Sequence, residues 1–148
     1  MAKLQPGDKA PDFELANQDG DMVSLSDFSG QMLLLYFYPQ ADTPGCTRQA
    51  CDIRDTMPDL RRLDLAAVGI SPDAPGPQKE FDQKYGLGFP LLCDQNHKVA
   101  EAYGVWDNGI VRSSFLIDGE GTIVETFYNV KPEDTVPKAM EAMSNLAK

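Results

Sequence analysis

Two of the three cysteines of this chain, Cys46 and Cys51, stand five residues apart in the run Thr-Pro-Gly-Cys-Thr-Arg-Gln-Ala-Cys at positions 43–51. A thiol directly behind Thr-Pro-Gly lies at a helix start, since Thr43 or Asp42 suits an N-cap and Pro44 suits the first turn. With Thr43 as the cap, Pro44, Gly45 and Cys46 take the first three helical positions. Backbone N–H groups there have no intrahelical acceptor, and the helix dipole presents positive charge. Such a place stabilises a thiolate, the nucleophilic form of cysteine. A free thiol with a pKa near 8.5 is only a few per cent ionised at neutral pH. Ionising most of it takes roughly 3.4 kcal/mol of differential stabilisation. The dipole supplies about 0.3–1 kcal/mol, and about 2 at best. A cation must therefore help. Arg48 is near in sequence, but two helical residues turn through about 200°, which aims it away. Arg112 opens the strand Arg-Ser-Ser-Phe-Leu-Ile-Asp and is the better candidate; a solvent-facing arginine at a strand end is the competing reading.

Cys51 raises a geometric problem. Five residues on a helix place two Cα atoms roughly 8.6 Å apart, whereas a disulfide requires less than about 7 Å. Cys46 and Cys51 cannot bond while the helix is intact, so any reaction between them requires its first turns to unwind. Gly45 favours that, because glycine in a helix costs about 1 kcal/mol relative to alanine. The spacing suits two states: a folded helix for thiolate attack and an unwound one for disulfide closure.

The surrounding pattern supplies elements to position these thiols. Phe13 and Leu15 alternate with polar neighbours, Asn17-Gln18-Asp19-Gly20 is turn chemistry, and Met22 to Leu25 returns, which predicts an N-terminal hairpin. Gln31 to Tyr38 is a continuous apolar strand closed by Pro39, and the helix behind it is expected to run to Pro58. Leu63 to Ile70 reads as a second buried strand, followed by a helix over about 77–85 and the short apolar stretch Phe89 to Leu92. Asp94 to Tyr103 reads as a short helix. Arg112 to Ile117 and Thr122 to Tyr128 are strands joined by Asp-Gly-Glu-Gly, and Glu133 to Leu146 is an amphipathic helix. This order is a β-α-β unit followed by a hairpin and a closing helix. It predicts an α/β, thioredoxin-like fold: a central mixed β-sheet flanked by helices, with an N-terminal β-hairpin extension.

Composition narrows the functional classes. At 148 residues the expectation is one domain, 1–148. A net charge of −10 lacks the basic footprint of a nucleic-acid binder. The first fifteen residues hold no apolar stretch of signal-peptide length, and Met32 to Tyr38 is far short of a membrane span. An odd number of cysteines in a chain this large points to reduced thiols and a cytoplasmic setting.

The residues Tyr-Pro-Gln-Ala-Asp-Thr-Pro-Gly-Cys-Thr resemble the PxxxTxxC signature of peroxiredoxins, with Pro39, Thr43 and Cys46 in the matching places. Pro-Gly-Cys-Thr-Arg-Gln-Ala-Cys-Asp-Ile-Arg-Asp is similar to the bacterioferritin comigratory protein group, the Q-type peroxiredoxins. Gly7 to Leu15, Tyr103 to Trp106 and the segment from Arg112 extend the likeness over nearly the whole chain. The resemblance implies a cofactor-free, thioredoxin-dependent peroxidase acting on hydrogen peroxide and alkyl hydroperoxides. In that family pattern Cys46 is the peroxidatic cysteine, and Thr43 hydrogen-bonds the reacting sulfur and oxygen. Pro39 shields the pocket, while Arg112 stabilises the thiolate and orients peroxide. Cys51 is then the resolving cysteine, forming an intramolecular disulfide that thioredoxin or a similar dithiol reduces, and the chain is expected to be a monomer. Gln49 stands where many relatives carry Glu, and only residues 107–111 separate Trp106 from Arg112, where many have a longer loop.

Blander readings compete at each position. Cys46 could be a small buried hydrophobe, Cys51 a helix-core residue, and Thr43 a cap and nothing more. Cys93 is read as buried without chemistry, with an alternative resolving thiol as the other option. His97 has no orienting motif and is read as a surface residue; Trp106 is read as packing near a strand entrance. A zinc module built from Cys46, Cys51, Cys93 and His97 is the rival from another class. Residues five apart on a helix do not converge on one ion, which weighs against it. A disulfide reductase of the same fold would want Cys-X-X-Cys at the helix start.

Overall fold

The computed structural model describes residues 3–146. Its frame is a five-stranded sheet in the order β5-β4-β3-β6-β7, with β3 (Met32–Phe37) in the middle. β4 (Leu65–Ser71) and β5 (Leu91–Cys93) run parallel to it, while β6 (Ser113–Ile117) and β7 (Ile123–Phe127) form the antiparallel hairpin. β3 is apolar at every position because both sheet faces are covered. Leu33, Leu35 and Phe37 enter one core and Leu34, Tyr36 and Tyr38 the other, the period-two alternation of a strand. The expected α/β, thioredoxin-like architecture is the one observed.

On one face lie α1 (Pro44–Arg62), α2 (Pro75–Tyr85) and α4 (Thr135–Leu146), which bury Ile53, Leu60, Phe81 and Ala139 against the sheet. The other face is covered by the N-terminal segment and α3 (Lys98–Ala102), through Ala10, Phe13, Leu25, Ala100 and Tyr103. The N-terminal hairpin pairs β1 (Glu14–Ala16) with β2 (Met22–Ser24) outside the main sheet.

Several boundaries differ from the sequence expectation, among them those of three helices. α1 does not stop at Pro58 but continues through it to Arg62. Proline removes the donor for the Arg54 carbonyl, yet Pro58 faces solvent, and continuing lets the buried Leu60 reach the core. The helix expected over 94–103 is only Lys98–Ala102. Asp94 stays outside it and accepts the Val99 and Ala100 N–H groups at 3.2 and 2.9 Å. The final helix begins after a 3₁₀ turn at Pro132–Asp134. That turn packs on α1 and matters for the site.

Candidate active site

β3 ends at Phe37, and the chain crosses Tyr38 to Asp42 before entering α1. Thr43 is the N-cap, with extended backbone angles of −87° and 157° and Pro44 at the first helical position. The Thr43 carbonyl accepts the Thr47 N–H at 2.8 Å. Its hydroxyl does not cap the helix; it donates to the Gln40 carbonyl at 3.0 Å. Cys46 then falls on the stripe of α1 that also carries Gln49, Ala50, Ile53 and Leu60, so its sulfur is buried within the first turn. Cys51, one position off the stripe, is half-buried, and the helix between the two thiols is intact. All three cysteines are unpaired.

Arg112 reaches this sulfur from the opposite strand. Phe37 pairs with Ser113 in antiparallel register, so Arg112 lies one step beyond the ladder, beside the point where β3 hands over to the helix. Its carbonyl accepts the Val130 N–H at 2.9 Å, which pins the backbone. One guanidinium nitrogen lies 3.3 Å from Cys46 Sγ and the other donates to Gln49 Oε1 at 2.6 Å. The contact places the positive charge of the guanidinium directly against the sulfur. Arg48, as expected, turns away and pairs with Asp52 at 3.0 Å on the surface.

The departure at Gln49 has a structural outcome. Gln49 is fully buried; its amide nitrogen donates to Thr135 Oγ1 at 2.8 Å, and the Thr135 hydroxyl donates to the Lys131 carbonyl at 3.3 Å. With the threonine proton committed to Lys131, Thr135 must accept from Gln49, so the amide oxygen is the end that faces Arg112. The guanidinium is therefore fixed by a neutral acceptor. Gly45 completes the fit, because a Cβ there would stand 3.1 Å from the Arg112 nitrogen and 3.3 Å from Pro132 Cγ.

Pro39 is exposed immediately after Tyr38. Cys93 ends β5 away from this cluster, where burial and then the charge of Asp73 push its thiol up to about 11. His97 stacks on Trp106 at 3.9 Å and meets Glu101 at 3.0 Å. Among the described residues no three His, Cys, Asp or Glu side chains converge as a metal site requires. The structure thus brings Cys46 and Arg112 together, with Thr43 as the cap of the same helix and Cys51 about two turns along it. Thr135, Lys131 and Pro132 had no signal in the pattern. Gln49 had one: a polar residue on the buried stripe of α1.

The chain matches the AhpC/TSA family model over residues 6–126. It is 41% identical over 153 residues to peroxiredoxin Bcp of Bacillus subtilis, covering 97% of this chain and 98% of the relative. Against peroxiredoxin Bcp of Escherichia coli K12 the identity is 46% over 140 residues, or 88% and 90% of the two chains. The crystal structure of peroxidoxin BcpB from Mycobacterium tuberculosis superposes with a TM-score of 0.92 at 30% identity, covering 96% and 97%. A mutant of Xylella fastidiosa PrxQ superposes with a TM-score of 0.94 at 26% identity over the full length of both chains. A buried thiol at a helix start, a guanidinium against it and these likenesses agree, and the chain belongs to the AhpC/TSA family, in its Bcp-type peroxiredoxin group.

Proposed function

We propose that this peroxiredoxin reduces hydrogen peroxide and alkyl hydroperoxides at Cys46 and is recycled through a Cys46–Cys51 disulfide by thioredoxin or a similar dithiol. The observation that carries the reading is the 3.3 Å approach of Arg112 to the buried Cys46 sulfur at a helix N-terminus. The Cys46 thiolate attacks one peroxide oxygen and the O–O bond breaks. The departing oxygen leaves with the electron pair and takes a proton, giving water or an alcohol, and the sulfur becomes a sulfenic acid. Arg112 holds the thiolate ionised and offers donors to the peroxide; Thr43 donates to the reacting atoms once its hydroxyl leaves Gln40. Pro39, on the loop before it, limits water at the sulfur.

Cys51 then attacks the sulfenic sulfur, the S–S bond forms and water departs. The helix must open for this step, because the Cα atoms of residues five apart on an α-helix are about 8.6 Å apart. The external dithiol returns both thiols by exchange. The same reading takes residues 1–148 as one domain acting as a monomer in the cytoplasm, without nucleic-acid or membrane partners and without a cofactor.

Two variants and mass mapping test it. One equivalent of peroxide should link residues 46 and 51 in the wild type. Cys46→Ser should lose turnover entirely, and a variant that keeps the wild-type rate sinks the assignment. Cys51→Ser should consume about one equivalent and stall; full thioredoxin-coupled cycling in that variant moves resolution to Cys93 or an outside thiol.

A further inference from the structure

The loop between β3 and α1 is held by a chain of hydrogen bonds, buried at its inner end and part-buried at Asp73, that the catalytic roles above do not use. The Tyr38 hydroxyl donates to Gln78 Oε1. The Gln78 amide nitrogen donates to Ser71 Oγ at 2.9 Å and to the Leu92 carbonyl at 3.0 Å. The Ser71 hydroxyl donates to Asp73 Oδ2 at 2.7 Å, and the Asp73 N–H returns to Ser71 Oγ at 3.2 Å. The same Asp73 oxygen accepts the Ala41 backbone N–H at 2.7 Å. From Tyr38 the chain runs through Gln78 and Ser71 to the Asp73 carboxylate, which has no proton to donate and so accepts from both the Ser71 hydroxyl and Ala41.

Ala41 lies midway between Pro39 and Thr43. On its near side Tyr38 is locked three ways: its N–H donates to the Ile70 carbonyl at 3.0 Å, its hydroxyl goes to Gln78, and its ring presses on Gly69. On its far side Asp42 takes a left-handed backbone (φ 62°) and its carboxylate accepts from Lys84 and from the Tyr85 hydroxyl, each at 2.9 Å. Those outer contacts are exposed, and exposed ion pairs hold little. The bond from Ala41 to Asp73 is part-buried and charge-assisted, the stronger kind.

We propose that Asp73 is a positioning residue for peroxide reduction, fixing the Pro39–Thr43 loop relative to the Cys46 sulfur by accepting the Ala41 N–H. The proposal rests on Cys46 being the thiol that reacts with peroxide. Asp73 touches neither sulfur nor peroxide; it sets where Pro39 and the Thr43 hydroxyl stand, and misplacement of reacting groups by about 1 Å can cost up to about a hundredfold in rate.

The test is the rate of the first peroxide turnover in rapid-mixing experiments, measured with the pH profile of Cys46 alkylation. Asp73→Ala should slow that turnover about tenfold. Asp73→Asn, whose Oδ1 still accepts from Ala41 and Ser71, should stay within about twofold of wild type. The alkylation profile should superimpose in all three proteins, because Arg112 and Gln49 are untouched. A wild-type rate in Asp73→Ala, or an alkylation profile that moves with the rate, overturns the proposal. Where the alanine variant does not fold, hydrogen exchange of the Ala41 amide in the wild type decides, and exchange at the rate of an unstructured amide overturns it. A wild type whose Cys46 ignores peroxide overturns the functional reading as well; a reactive wild type with an unaffected Asp73→Ala overturns this inference alone.

Discussion

Arg112 has a sulfur and an amide oxygen as partners, and the identity of the second one matters. A carboxylate at position 49 would share the guanidinium's charge with the thiolate, whereas the Gln49 amide steers the same nitrogen fork while leaving that charge available to Cys46. Replacement of Arg112 by alanine removes the closest cation and leaves Gln49 Oε1 buried without its donor. Alkylation of Cys46 at neutral pH should slow by roughly tenfold. A rate equal to wild type would remove Arg112 from the thiolate's support. Local pattern pointed to Arg112 only as a charge at the mouth of an apolar strand, and it was the family resemblance that set it against the thiolate. What brings it to Cys46 is the antiparallel pairing of β3 with β6, a contact across 66 residues that local pattern does not encode.

The first turn of α1 is the element on which both thiol roles depend. Thr-Pro-Gly made its start legible, since each of those residues has a local backbone reason to be there. Its end was misread at Pro58, because exposure of that proline and burial of Leu60 are tertiary facts. Gly45 looked like a simple weakness in the helix, yet the structure gives it a second duty. Its missing Cβ leaves space filled by Arg112 on one side and the Pro132 ring on the other. Gly45→Ala gains up to about 1 kcal/mol of helix propensity. The new methyl meets a rigid ring and a movable guanidinium, so the guanidinium gives way. The folded protein should be within about 1 kcal/mol of wild type in denaturant titration. Its first turnover with peroxide should fall about tenfold, because Arg112 is displaced from the sulfur. An alanine variant as fast as wild type would show that Arg112 tolerates the displacement.

At the scale of the whole molecule, a sheet covered on both faces buries three tyrosines with their hydroxyls. The apolar run around β3 revealed the two-sided burial but not which neighbours would serve those hydroxyls, since the partners come from α2 and the N-terminal segment. Tyr38 donates to Gln78, and Tyr103 donates to the Pro11 carbonyl at 2.7 Å. Tyr36 has no hydrogen-bond partner among the described residues and lies against Gly69. Burial pushes all three phenols well above their ordinary value of 10.0, and neighbouring negative groups add to it. Because the folded values are raised, this contribution to stability is complete below about pH 10 and is lost as the pH climbs through the unfolded value, where the unfolded chain releases protons that the native one keeps. Each such tyrosine contributes a slope of about 1.4 kcal/mol per pH unit, so three together give about 4. Against a total stability of about 5–15 kcal/mol, unfolding should follow within a few pH units. The urea midpoint should fall steeply above pH 10, and tyrosinate absorbance from three of the five tyrosines should appear together with the loss of structure. A midpoint that stays level across that range, or five phenols titrating smoothly in a folded chain, would mean that the buried hydroxyls reach solvent without opening the core.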